Sequence, residues 1–136
     1  MKLELNNRFT AELTADAITD NFVRIVPNAH FSFVTPKIPS KPKIIHISRE
    51  LAYSLGFSDE DLTSDDFISI FSGKEIYRDS KPYAICYAGH QFGNWAGQLG
   101  DGRAINLFEI SHKNQTFAFQ LKGAGKTPYS RRGDGL

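Results

Sequence analysis

The sequence predicts an α+β fold in which short helices precede paired antiparallel strands. Two observations support this prediction. Before residue 83, apolar residues recur at helical spacing behind residues that favour helix starts, and after residue 102 two segments are rich in β-forming residues. The chain has 136 residues, enough for one modest domain with its own core. We therefore divide it into an N-terminal segment, residues 1–82, and the beginning of a sheet, residues 83–136.

The first 47 residues are expected to contain one short helix and a long extended connector. The pattern before residue 20 favours a helix around residues 11–18. The stretch FSFVTPKIPSKPKIIHI is rich in proline, which fixes φ and cannot donate to a β-ladder. It therefore indicates an extended connector that leads into a strand at residues 43–47. Its lysines are expected to face solvent rather than to bind phosphate.

Two short helices are predicted between residues 48 and 73. In SRELAYSLGF, Ser48 can cap the helix, leucines four residues apart share a face, and Gly56 ends it. The second helix begins near Ser64, carries acidic residues in its first turn and ends at Gly73. Both helices are expected to be structural and to pack the N-terminal segment against the sheet.

The sheet is predicted from RAINLFEI, residues 103–110, and TFAFQLK, residues 116–122. The polar linker between them is short, which favours an antiparallel hairpin. In the second strand Phe117, Phe119 and Leu121 should face one way, because side chains alternate along a strand. The residues before the first strand, GHQFGNWAGQLGDGRA, are rich in glycine and are predicted to form a loop.

The end of this loop, AGQLGDGRA, has the composition of a phosphate-binding bend. Gly100 and Gly102 would let backbone amides approach a ligand that a Cβ would hold away, and such amides form a cradle for phosphate oxygens. Arg103 adds a side chain able to grip phosphate with two hydrogen bonds. Glycine-rich turns that only join strands are also common, so the loop by itself leaves both interpretations open.

The position of Lys122 strengthens the phosphate interpretation. A glycine bend, a hairpin and a lysine at the end of the next strand follow one another as in the N-lobe of a protein kinase, where that lysine reaches the nucleotide phosphates. The competing interpretation is that Lys122 protects an edge strand from aggregation.

The remaining motifs are ambiguous or negative. GAGKT resembles the end of a Walker A loop, but Gln120 stands where that motif requires glycine and Pro128 would disturb its helix. Asp134, which precedes Gly135, could ligate a nucleotide group or close a turn. His90 has no partner at ligand spacing, so we predict no metal site within this chain.

Composition excludes several classes of protein. The formal net charge is only +1, which argues against partners such as nucleic acid or an anionic membrane surface. The single cysteine, Cys86, lies in an apolar run and is expected to be a buried, inert thiol in a reducing compartment. We find no signal peptide and no apolar stretch of membrane-spanning length, and we expect a cytoplasmic protein.

The segments GHQFGNWAGQLGDGRAI and FQLKGAGKTPYSRRGDG resemble the signature region of the selenoprotein O family, SelO/YdiU. The resemblance is dense from Tyr87 to Gly135 and looser upstream. It implies a protein-kinase-like fold that is a pseudokinase, of which this chain would hold the N-terminal segment and the start of the N-lobe sheet. It also implies transfer of AMP from ATP, bound in a flipped orientation with magnesium or manganese, to Ser, Thr or Tyr hydroxyls of proteins.

Carried over by position, this resemblance implies six nucleotide-binding residues: Gly100, Gly102, Arg103, Lys122, Asp134 and Gly135. The family's catalytic base and metal ligands have no counterpart in this chain. We therefore expect a fragment that alone neither binds ATP tightly nor transfers AMP. The alternatives are a conventional kinase-like phosphotransferase, a non-catalytic nucleotide-binding module and, least consistent with the charge, a small RNA-binding domain.

Overall fold

The structure is a computed structural model that describes residues 1–136. The predicted α+β class is confirmed, with four short helices and five strands. In chain order the elements are α1 (Arg8–Glu12), β1 (Phe31–Phe33), α2 (Arg49–Ser54), α3 (Asp59–Thr63), α4 (Asp65–Phe71), β2 (Tyr83–Gln91), β3 (Asn94–Gly100), β4 (Ala104–His112) and β5 (Gln115–Lys122). None of the helices has the length and apolar character that crossing a membrane requires.

Four strands pair in the order β1-β2-β4-β5. β3 lies outside this series and pairs with β2 alone. All of these pairings are antiparallel. β1 lies opposite residues 83–85 at the start of β2, and the rest of β2 pairs with β3 from Cys86↔Gly100 to Gln91↔Asn94. Because β1 comes from the first part of the chain, residues 1–82 and 83–136 contribute to one sheet.

The predicted hairpin near the C-terminus is confirmed as β4–β5. Its register runs from Ala104↔Lys122 to His112↔Gln115. The two turn residues, Lys113 and Asn114, have φ values of 48° and 61°. A two-residue turn with both φ values positive matches the right-handed twist of the strands it joins. The alternation predicted along β5 is also confirmed, since its apolar residues are half-buried and their neighbours are exposed.

The predicted glycine-rich loop is wrong over most of its length, because residues 83–100 form a second hairpin, β2–β3. The turn of this hairpin is at Phe92 and Gly93, both with positive φ. Gly89 pairs with Gly97, and the register shifts between Gly89 and His90. Ladder hydrogen bonds need only backbone groups, so glycines can occupy paired positions. Only residues 101–103 remain as a bend between β3 and β4.

Two smaller predictions need correction, and two elements were not predicted. The strand expected at residues 43–47 is absent, because these residues pair with no other strand. The helix expected at residues 11–18 lies earlier, at α1. β1 and α3 were not predicted, although the Ser58–Asp61 capping box of α3 is visible in the sequence. The helices expected near residues 48 and 64 are confirmed as α2 and α4, and Ser64 caps α4 by accepting from the Phe67 N–H at 3.2 Å.

Phenylalanines hold α3, α4 and the residues around them against the β4–β5 hairpin. The Phe71 ring of α4 lies 5.4 Å from that of Phe119 and 6.1 Å from that of Phe108. A second cluster contains the start of β4 and the segment after β5, with Ala84, Ile105 and Tyr129 all buried. This second cluster places residues 127–130 beside the bend at residues 101–103.

Candidate functional site

The bend between β3 and β4 is held in place by the aspartate at its centre. Asp101 donates its N–H to the Ile85 carbonyl at 2.9 Å, and its Oδ2 accepts from the Ile85 N–H and from Asn106 Nδ2, both at 3.0 Å. Asp101 therefore links the first residues of β2 to the beginning of β4. Sequence analysis did not assign Asp101 any role, and the signal it offered was its position between two glycines.

The two glycines of the bend pack against residues 127–130. A Cβ on Gly100 would lie 2.6 Å from Cγ of Tyr129 and 2.7 Å from the Ile85 carbonyl oxygen, and one on Gly102 would lie 2.8 Å from the Tyr129 carbonyl oxygen. The sequence was interpreted as requiring glycine for close approach to phosphate. The structure supplies another reason, which is close approach to a neighbouring backbone.

We expect Gly102→Ala to lower the free energy of unfolding by about 1–3 kcal/mol, the usual cost of forcing an extra group into a packed site. The added methyl would collide with a backbone atom that cannot rotate away. Urea denaturation measures the change. Gly89→Ala is the matched control, because its Cβ would meet nothing closer than Leu99 Cδ1 at 3.6 Å. Equal stability of the two variants would contradict this packing.

Arg103 is the last residue of the bend, and Lys122 ends β5, the strand that pairs with β4. Lys122 pairs with Ala104, the residue after Arg103, and the Gly123 N–H donates to the Arg103 carbonyl at 2.7 Å. Both side chains are exposed. The four ion pairs of the structure use other cations, namely the N-terminal amine, Arg8, Arg24 and Arg49. Neither Arg103 nor Lys122 forms an ion pair in the structure.

Asp134 lies close enough to Arg103 and Lys126 for both charges to act on its carboxyl. The pKa of the Asp134 carboxyl is lowered, first by the Leu136 N–H that donates to it at 2.9 Å and further by the charges of Arg103 and Lys126. Gly135 accepts from the Gly125 N–H at 3.1 Å, with φ of 79°. A Cβ on Gly135 would lie 2.0 Å from the Gly125 carbonyl oxygen. The structure therefore brings the six predicted residues to one end of the sheet.

A surface cavity of about 350 Å³ adjoins Asp134. Its walls include Asn21, Thr35, Lys37 and Lys126. The exposure predicted for Lys37 is confirmed, and Lys126 is exposed as well. The charges of Lys37 and Lys126 make the electrostatic potential around this cavity more positive, which favours anionic ligands.

A buried polar chain supports residues 127–130 from behind. Tyr129 shares a hydrogen bond of 2.8 Å with Ser32, whose hydroxyl also donates to Asp16 at 2.7 Å. Asp16 pairs with Arg24, and both side chains are more than nine-tenths buried. Burial opposes ionisation of Asp16, but hydrogen bonds from the Ile18 N–H and Ser32, together with Arg24, hold its pKa below the usual value. Burial raises the pKa of Tyr129 to about 12, so its hydroxyl stays neutral.

Cys86 and His90 agree only in part with their predicted structural roles. Cys86 is half-buried, and burial raises the pKa of its thiol, as expected for an unreactive cysteine. His90 is exposed and its ring lies 5.2 Å from that of Trp95, so it packs on a neighbour and forms no hydrogen bond. No group of three or more His, Cys, Asp or Glu side chains is placed to hold a metal ion.

Comparison with known proteins gives one consistent family. The family model described as protein adenylyltransferase SelO matches residues 17–136. The chain is 60% identical over 134 residues to a protein nucleotidyltransferase YdiU of Flavobacterium johnsoniae, covering 98% of this chain and 26% of that one. It is 50% identical to the protein of the same name from Tolumonas auensis, again covering 98% and 26%. The chain thus spans about a quarter of the length of these relatives.

Proposed function

Because the chain belongs to the SelO family of protein adenylyltransferases, we propose that its bend and two unpaired cations bind the phosphates of ATP in an enzyme that transfers AMP to Ser, Thr or Tyr hydroxyls of proteins. The observation that carries this proposal is the placement of Arg103 and Lys122. Arg103 is the last residue of a bend fixed by Asp101, Lys122 ends the strand paired with the residue after it, and neither side chain forms an ion pair. Arginine and lysine in such positions are suited to phosphate oxygens.

The fold supports this proposal through the order of its elements. A glycine bend precedes a hairpin that ends on a lysine, which is the chain order of these parts in a kinase N-lobe, although β3 here pairs with β2 and not with β4. We propose that β3, β4 and β5 are the first part of such a lobe. The family's complete nucleotide site would then also need residues beyond those of this chain.

The reaction requires a defined exchange of bonds. The hydroxyl oxygen of the protein substrate attacks the α-phosphorus of ATP, the bond from that phosphorus to the α,β-bridging oxygen breaks, and pyrophosphate leaves. The hydroxyl proton passes to a base that this chain does not supply. Within this scheme Arg103 and Lys122 hold the anionic phosphates and stabilise the charge that grows on the departing pyrophosphate. A γ-phosphoryl transfer would instead add phosphate, and the mass of the modified protein separates the two reactions.

We expect Arg103→Ala to weaken ATP binding by this chain at least tenfold, because one charge-assisted contact is worth about that factor. A titration with ATP and magnesium, followed by amide chemical shifts, measures weak binding residue by residue. Lys113→Ala is the control, since it removes the same charge at the exposed turn between β4 and β5. An unchanged affinity in Arg103→Ala, or an equal loss in Lys113→Ala, would contradict the proposed site.

A further inference from the structure

Residues 127–130 form a tight turn whose hydroxyl groups hydrogen-bond to two carbonyl groups of the glycine bend. Thr127 Oγ1 donates to the Asp101 carbonyl at 2.7 Å, and Ser130 Oγ donates to the Gly102 carbonyl at 2.6 Å. The Ser130 hydroxyl also accepts from the Thr127 N–H at 2.8 Å, and Thr127 Oγ1 accepts from the Tyr129 N–H at 3.1 Å. Both hydroxyls are therefore fixed by the turn that carries them.

The bond from Ser130 has a consequence for Arg103. The Gly102 carbonyl and the Arg103 N–H belong to one planar trans peptide unit, so they point in opposite directions. A carbonyl held toward Ser130 directs the Arg103 N–H away from the turn. That N–H donates to no acceptor in the structure. It belongs to the same residue whose exposed guanidinium lies close enough to Asp134 for its charge to lower the pKa of that carboxyl.

We propose that Ser130 is a positioning residue for phosphate binding, because it fixes the peptide unit through which Arg103 presents its backbone N–H, beside its guanidinium, to an anion. This inference rests on the proposed function and adds a residue to it. Without the Ser130 hydroxyl, the Gly102 carbonyl would lose its partner, and the peptide unit could rotate because glycine has few steric limits. A carbonyl oxygen facing outward would repel phosphate.

Ser130→Ala is the test, with ATP and magnesium as the probe and this chain as the protein. We expect the wild-type Arg103 amide resonance to shift on titration, and the Ser130→Ala variant to bind about tenfold more weakly and to lose that shift. Ser80→Ala is the matched control. Its hydroxyl also donates to a carbonyl at 2.6 Å, that of Tyr77, but lies in another part of the chain. We expect that variant to bind ATP like the wild type.

The outcomes separate the two proposals. If Arg103→Ala loses binding while Ser130→Ala retains it and the amide shift, Ser130 has no positioning role and the proposed function stands. If the wild-type chain shows no response at Arg103, both proposals are wrong. If Ser130→Ala does not fold, hydrogen exchange of the wild type decides. The Arg103 amide should exchange rapidly and slow on adding ATP, and protection equal to that of the β4 amides without ATP would overturn the inference.

Discussion

Lys122→Ala, introduced into a protein of the relatives' full length that carries this segment, is expected to lower AMP transfer at least about a hundredfold. Removing one preorganised group that stabilises developing charge typically costs that factor or more. Lys122 is suited to this role because it has no ion-pair partner and lies in register with the residue after Arg103. Transfer of labelled AMP from ATP to protein measures the effect.

The fold should survive this substitution, since the Lys122 side chain is exposed at the end of β5. Circular dichroism and thermal unfolding check that point. Lys113→Ala serves as the control, because it removes an equal charge from an exposed turn. Activity within a factor of two of the unmodified protein would refute the assigned role of Lys122, whatever the activity of the control.

Asp16→Asn is expected to lower the free energy of unfolding at pH 7 by about 3 kcal/mol, because it leaves the buried Arg24 guanidinium without its counter-charge. The Arg24 side chain retains hydrogen bonds to the carbonyls of Ile18, Asp20 and Phe22, which places the expected cost at the lower end of the usual range. Glu12→Gln is the control, since its pair with Arg8 is exposed to solvent and should contribute far less to stability than the buried pair.

The same variant should change how stability depends on pH. The pKa of Asp16 is lower in the folded protein than in the unfolded chain, so ionised Asp16 stabilises the fold above its unfolded pKa. That contribution is lost as the pH falls through the folded pKa. Denaturation at pH 7 and pH 3 should therefore show a smaller difference for Asp16→Asn than for the wild type. An identical pH dependence in both proteins would contradict the buried pair.

The parts of the fold that local patterns encode could be predicted from the sequence. The β4–β5 hairpin followed from alternation and a short polar linker, and α4 followed from a capping serine and acidic first turn. The β2–β3 hairpin does not follow from the sequence pattern, because its many glycines are typical of a loop. In the structure these glycines occupy paired positions in a β-ladder. β1 has only three residues, and its pairing with β2 depends on a partner about fifty positions away.

The residues of the candidate site could be predicted from the sequence, but the contacts that hold them in place could not. The motif around Gly100, Arg103 and Lys122 predicts nucleotide-binding residues, and the β4–β5 register places Lys122 opposite the residue after Arg103. The roles of Asp101 and Ser130 could not be derived, because each depends on contacts between segments distant in sequence. A hydroxyl that orients a carbonyl 28 positions away leaves no periodic or spacing signal.

The hydrogen bond between Ser32 and Tyr129 joins residues 97 positions apart. During synthesis this hydrogen bond cannot form until nearly the whole segment has left the ribosome. Closing such long loops costs entropy before any contact compensates for it, so assembly should be slow compared with that of helical proteins of this size. Until then the N-terminal third of the chain is exposed to chaperones and proteases.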